Sequence, residues 1–218
     1  MIFLDVHMED ILERLESMKV NRIVGQNDGV SMASILKFRQ QFYEKWYDAR
    51  IICERNESAE SIAEKVLKFL NRRETQSGYV STRGYDFEGQ TFNDVLLQGL
   101  APDGGLVVPR ADPPSFSLGQ LSRMTDLPYT ERALRILEQW VNSDEIRPQT
   151  LRMLIADAYD KENFQHGAIC PVRGLIGTRG LFVQELFHGP TASFKDMALQ
   201  LMPKMFVNAN KCSEEQSK

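Results

Sequence analysis

Glu185-Leu-Phe-His-Gly-Pro-Thr-Ala-Ser-Phe-Lys195-Asp196 packs an apolar run, a Gly-Pro turn and one lysine into a single short stretch. The residues before it, Leu181 to Phe187, read as a strand. His188–Thr191 reads as a turn, and a helix is expected from about Ser193 to Met205. A lysine placed after a strand and a tight turn, at the start of a helix, has two readings. One is a solvated surface lysine, the commonest fate of the residue. The other is a Schiff-base lysine. A free lysine amine titrates near ~10.4 and is a poor nucleophile at neutral pH. A helix N-terminus disfavours the ammonium form, and desolvation by Phe194 and Met197 would act the same way. Both would free the amine to condense with a carbonyl, though this local chemistry does not name the carbonyl. Asp196 either orients the lysine or is simply a first-turn carboxylate facing the helix dipole. Thr191 is placed to cap the following helix.

Upstream of this stretch the chain reads as two patterned regions. Ile2–Val6 is a short apolar run that suits a buried strand. Met8, Ile11, Leu12, Leu15 and Met18 recur at helical spacing, opposite Glu9, Glu13, Arg14 and Glu16. A loop at Gly25–Gly29, a helix over Ser31–Trp46, a strand at Ala49–Cys53 and a helix over Ser58–Leu70, capped by Ser58, complete the first region. This alternation predicts a layered α/β unit. Asn71–Gly78 is polar and lacks an apolar anchor, and within it residues 74–78 are taken as the linker. Next come a strand at Tyr79–Thr82, a helix at Thr91–Leu97, the turn Ala101–Gly105 and a strand at Leu106–Val108. The Pro113-Pro114 pair holds the chain extended. Helices are expected at Leu118–Arg123, Tyr129–Val141 and Pro148–Ala158, with Pro148 in a first turn. Asn208–Lys218 reads as a frayed polar tail.

The composition is that of a globular protein, with 42% hydrophobic and 26% charged residues in a chain of 218. A net charge of -4 argues against a nucleic-acid binder. No run of about 18 apolar residues is present, so no membrane partner is expected. Met1–Asp5 lacks the basic start of a signal peptide. Three widely spaced cysteines fit a reducing compartment, so an intracellular location, cytoplasmic or mitochondrial, is expected. The three scattered histidines form no zinc-type pair, and no metal site is expected.

The Glu185–Asp196 stretch resembles the pyridoxal-phosphate lysine motif of threonine synthases. Tyr79-Val-Ser-Thr-Arg-Gly84 and Gly99-Leu-Ala-Pro-Asp-Gly-Gly-Leu-Val-Val-Pro109 resemble that family's N-terminal segment in order and spacing. The resemblance covers residues 79–206. It implies the N-terminal part of a fold-type II enzyme, in which two α/β domains clasp the cofactor. Lys195 would hold pyridoxal phosphate as a Schiff base, with Phe194 and Asp196 beside it. The substrate would be an amino-acid phosphate of the O-phosphohomoserine type, met by Thr82 and Arg83. Where the family more often has Leu-Ala-Phe-Lys, this chain has Ala192-Ser-Phe-Lys195, which leaves substrate preference open. The later Ser/Gly-rich loop that cradles the cofactor phosphate in this fold is not found in the sequence. The expectation is therefore weak or absent cofactor binding and no competent turnover. The alternative is a non-catalytic, partner-binding or regulatory fragment.

Residues 1–73 resemble the C-terminal half of shikimate kinases. Arg39 and Tyr43 match that family's Arg-x-x-Leu-Tyr run, with Phe42 in place of Leu. The resemblance implies that Arg39 contacts substrate, although a solvated helix arginine is an equal reading. Arg22 falls at the family's mobile lid. No phosphate loop is expected, because Gly25-Gln-Asn-Asp-Gly29 lacks the lysine that neutralises nucleotide phosphate. The expected fold is thus α/β: a partial shikimate-kinase-like unit followed by a threonine-synthase-like region, in a shortened chain with a polar tail at 207–218.

Overall fold

A computed structural model describes residues 1–18, 29–75, 78–87, 89–111, 115–177 and 179–216. Arg22, most of the Gly25–Gly29 loop, Pro113-Pro114 and part of the expected linker lie outside the described residues. The class is mixed α/β, in two units. One comprises Met1–Ser77, Ala111–Asp126 and Arg147–Gln149, and the other Gly78–Arg110, Leu127–Ile146 and Thr150–Lys218.

In the first unit β1 (Ile2–Asp5) and β2 (Ala49–Ile52) pair in parallel, Ile2 opposite Ala49 and Asp5 opposite Ile52. A parallel pair cannot be joined by a tight turn. The crossover here carries α1 (Met8–Ser17) and α2 (Met32–Tyr43). Every residue of β2 is buried, Arg50 included, as in a parallel strand covered on both faces. Ser31 caps α2 by accepting from the Ser34 N–H. Ser58 caps α3 (Ala59–Thr75), accepting the Ser61 N–H at 3.2 Å as its position implies. α3 runs past Leu70, so the start of the polar stretch read as connecting chain is helical. Lys, Arg, Asn and Glu can continue a helix that is already nucleated. A further helix, α5 (Leu118–Met124), also belongs to this unit.

The second unit begins with an antiparallel sheet in the order β4-β3-β5, formed by β3 (Tyr79–Ser81), β4 (Asp86–Phe87) and β5 (Val107–Pro109). α4 (Phe92–Gln98) starts at a reciprocal cap between Thr91 and Asp94. The main core is built by α6 (Tyr129–Leu137), α7 (Pro148–Ala158) and α9 (Met202–Gln216). Leu151, Ile155 and Ala158 of α7 are buried at helical spacing and meet Leu134, Phe164, Leu201 and Met205. The hairpin β6 (Val172–Gly174) and β7 (Phe182–Gln184) and the four-residue helix α8 (Asp196–Leu199) complete the unit.

The C-terminal helices depart from two expectations. The helix predicted over Ser193–Met205 is broken into α8 and α9. Pro203 has no N–H to give the Leu199 carbonyl, and its ring crowds that carbonyl, so the chain resets just before it. The segment read as a frayed tail from Asn208 is instead helical to Gln216. Buried Leu201, Met205 and Ala209 continue one stripe into it at four-residue steps. No helix among the described residues is long and apolar enough to cross a membrane.

Candidate functional site

Lys195 stands at the N-terminal boundary of α8, on the wall of an open cavity of about 550 Å³. Gln184, Leu186, Phe194, Met197, Ala198 and Leu199 make up the rest of that wall. β7 and the extended chain after it place Gln184 and Leu186 on the same face, because alternate residues of an extended chain share a side. Among the described residues that line it, four of seven side chains are large hydrophobics and Lys195 supplies the only charge. Among the described residues no hydrogen bond or ion pair engages Lys195 Nζ.

The turn that presents this lysine is organised by its neighbour. Asp196 is almost fully buried, at 1% exposure, and accepts three hydrogen bonds. The Thr191 N–H donates to Oδ2 at 2.9 Å, the Thr191 hydroxyl to Oδ1 at 2.8 Å and the Ser193 N–H to Oδ2 at 3.4 Å. Burial pushes the carboxyl upward in pKa, but these bonds outweigh it and hold the group below the usual carboxylate range. Gly189 lies directly over Asp196. A Cβ there would stand 2.5 Å from Asp196 Cβ and 2.6 Å from Oδ2, so only glycine fits. Ala192 takes a left-handed φ of 56° at the tip of the turn. Thr191, expected to cap the helix, is therefore a donor to Asp196. Asp196 is thus a carboxylate that ties the turn, a role beside the two readings open for it.

Phe194 is 66% exposed and Lys195 is exposed. The desolvation expected from Phe194 is thus not provided, since a ring turned to solvent cannot cover an amine. A helix of only four residues also aligns few peptide dipoles. Behind the strand a polar group forms. Glu185 Oε2 lies 2.7 Å from His188 Nε2, and Arg173 donates to Glu185 Oε1 at 3.1 Å. The His188 bond, together with the Arg173 charge, overcomes burial and lowers the Glu185 carboxyl pKa. Tyr159 donates its hydroxyl to the Met197 carbonyl at 2.6 Å, linking α8 to the core.

The other predicted residues lie elsewhere. Thr82 and Arg83 are absent from the cavity wall. The Thr82 hydroxyl accepts the Leu106 N–H at 3.0 Å, and Arg83 donates to the Asp103 carbonyl at 3.0 Å. Asp103 also receives the Ser81 hydroxyl and the Tyr85 and Gly105 N–H groups. The Asp103-Gly-Gly105 turn, read as a plain turn, is therefore the anchor of this sheet end. Arg39 is on α2, in the first unit. Sequence reasoning missed Gln184 and Leu186, whose i, i+2 spacing was the available signal. It also missed the close approach of Gly189 to Asp196, which nothing local announces.

The family model for the threonine synthase N terminus matches residues 78–159, and that for shikimate kinase matches residues 1–71. The threonine synthase-like 1 proteins of Macaca fascicularis and Homo sapiens are 43% and 44% identical to it over 216 residues, 95% of this chain. Along nearly all of its length the chain is similar to the threonine synthase-like 1 proteins. It spans 29% of the length of those two relatives. Threonine synthase of Pseudomonas aeruginosa is 42% identical over 127 residues, 58% of this chain and 26% of that protein. The crystal structure of pyridoxal-phosphate-bound threonine synthase from Brucella melitensis superposes with a TM-score of 0.54 at 38% identity. That match covers 62% of this chain and 28% of the other.

Proposed function

We propose that this threonine synthase-like chain carries the cofactor lysine of a pyridoxal-phosphate-dependent lyase, and that the lysine is Lys195. The observation that carries the reading is an unengaged ε-amine on an apolar wall while the adjacent carboxylate is turned inward and locked. The cavity volume of about 550 Å³ lies within the range of cofactor sites, and its lysine amine beside apolar side chains fits the aldehyde and ring of the group. When bound, pyridoxal phosphate supplies an electron sink for a substrate carbanion. Lys195 would hold it through Nζ and exchange protons beside it. Leu186, Met197 and Leu199 would exclude water from one face, and the Gly189–Asp196 contact would fix the lysine's backbone. The substrate class proposed is an amino-acid phosphate such as O-phosphohomoserine, with Thr82, Arg83 and Arg39 as proposed contacts. Because Lys195 is the one cation among the described residues that line the cavity, an anionic cofactor is weakly held and turnover by this chain is minimal. The organisation proposed with this reading joins a shikimate-kinase-like segment to a threonine synthase-like segment at residues 74–78. An intracellular, cytoplasmic or mitochondrial setting is proposed with it.

A spectroscopic titration with pyridoxal phosphate tests the reading. The native chain should develop the yellow Schiff-base absorption and Lys195→Ala should lose most of it. Equal absorption in both would overturn the assignment, and phosphate release from O-phosphohomoserine at an enzymatic rate would overturn the weak-turnover part. A second reading, a non-catalytic partner-binding role, is favoured by one observation. Phe182 and Val183 of β7 and Leu181 and Phe187 beside it in sequence are all substantially exposed.

A further inference from the structure

The C-terminal ends of parallel strands are where open α/β sheets receive ligands, usually anionic ones held by N–H groups. In the first unit that edge offers the opposite chemistry. It presents the Asp5 carboxylate and the carbonyls of Asp5, Ile52 and Cys53, all acceptors. Asp5 is buried to 2% exposure. Its Oδ2 accepts Arg50 Nη1 at 3.3 Å, while Arg50 also donates to the Tyr47 hydroxyl at 2.8 Å and stacks on the Phe3 and Tyr47 rings. Arg50 is thus built into the sheet. A second guanidinium comes from α5, far along the sequence. Arg123 Nη2 donates to Asp5 Oδ1 at 2.6 Å, and Nη1 donates to the Asp5 and Cys53 carbonyls. Gln120 of the same helix accepts the Ser117 N–H with Oε1 and donates Nε2 to the Ile52 carbonyl at 2.9 Å. Gly119 lies against Glu54, where an added Cβ would stand a tight 3.0 Å from the carboxylate.

We propose that the carboxyl edge of β1 and β2 is a guanidinium-binding site, filled in this chain by Arg123, so that α5 acts as a strap closing the edge. The fork of an arginine matches this acceptor set: one nitrogen spans two carbonyls while the other meets a carboxylate oxygen. A phosphate placed there would face a buried carboxylate and three carbonyl dipoles, so the edge rejects the anions that kinase-like sheets take. The strap helix carries its own reciprocal cap at Ser117 and Gln120, so its amide is already oriented for Ile52. The assignment depends on no property of Lys195.

Cys53, fully buried beneath the strap, reports on it. The experiment is iodoacetamide alkylation of the full chain at fixed pH, with Cys53 and Cys212 quantified separately by peptide mass spectrometry. Replacing Arg123→Ala should speed Cys53 labelling by about tenfold or more, the loss of charge-assisted bonds to buried acceptors, and leave Cys212 unchanged. Millimolar methylguanidinium chloride should then restore protection, and sodium chloride at equal ionic strength should not. Arg123→Lys keeps the charge but not the fork, and should give an intermediate rate even if the alanine variant does not fold. An unchanged Cys53 rate in Arg123→Ala, restoration by salt as effective as by methylguanidinium, or native protection in Arg123→Lys would each overturn the proposal.

Discussion

Replacing Gly189→Ala should injure both the stability of the second unit and the presentation of Lys195. An added Cβ meets Asp196 Cβ at 2.5 Å, Oδ2 at 2.6 Å and Cγ at 2.8 Å. Comfortable carbon contacts are about 3.5–4.0 Å, so the overlap is roughly 1 Å against all three atoms. Asp196 cannot swing away without giving up the Thr191 N–H, the Thr191 hydroxyl and the Ser193 N–H. The turn must therefore deform. Overpacking of this kind costs about 1–3 kcal/mol, which in a chain of this length lowers Tm by about 2–4 °C per kcal/mol. The assay is thermal unfolding by circular dichroism, paired with pyridoxal phosphate capture. Gly167→Ala is the matched control, since a Cβ there meets no atom within 4 Å and the backbone needs no left-handed φ. The Gly189 variant should melt lower than the Gly167 variant and capture less cofactor. Equal melting of the two would refute the claim that the Gly189–Asp196 contact organises the turn.

Ala192 tests the same turn by another route. At φ 56°, Ala192→Val places a β-branched residue in the left-handed region and should lose about 1–2 kcal/mol, while Ala192→Gly should be neutral or stabilising. Urea unfolding of the pair would contradict this if valine were tolerated. Tyr159→Phe removes the bond to the Met197 carbonyl and should cost about 1 kcal/mol, with reduced cofactor capture because α8 loses its tie to the core. Native stability in that variant would show the bond to be dispensable. Burial, with a smaller push from Glu57, raises the Cys53 thiol from an ordinary 9.0 to about 11. The unfolded thiol then ionises first, so the folded chain loses stability progressively from pH 9.0 upward, and the loss levels off at its full value above about 11. The loss should approach roughly 2–3 kcal/mol. It should be absent in Cys53→Ala, and parallel pH profiles for native and variant would contradict it.

The helices of the first unit were legible because local evidence marks them, such as the Met8-Ile11-Leu12-Leu15 stripe and the Ser58 cap. Strands β4 and β6 were not, because two or three residues hold too little pattern to be read without their partners. Pro203 was a local signal for the break before α9, overridden by an apolar periodicity that runs through it. The Leu201-Met205-Ala209 stripe was equally local, and it was masked by polar neighbours that fill the solvent face. At the site, the lysine and its turn were readable from Glu185–Asp196. The inward carboxylate was not, because whether Asp196 faces the lysine or the turn depends on the path of the chain at Gly189. Asp5 shows the limit most clearly. In the sequence it reads as a charge that spoils an apolar leader. In the structure it is buried between Arg50 and Arg123, and the second partner comes from a helix that no local pattern links to it.

The decisive measurement is a residue-level map of cofactor attachment. The full chain is incubated with pyridoxal phosphate, reduced with borohydride, digested and read by mass spectrometry for the fraction of each lysine modified. Modification concentrated on Lys195, ahead of exposed lysines such as Lys161 and Lys211, is the result predicted from its unengaged amine and apolar wall. A map in which Lys195 is modified no more than those surface lysines would contradict it.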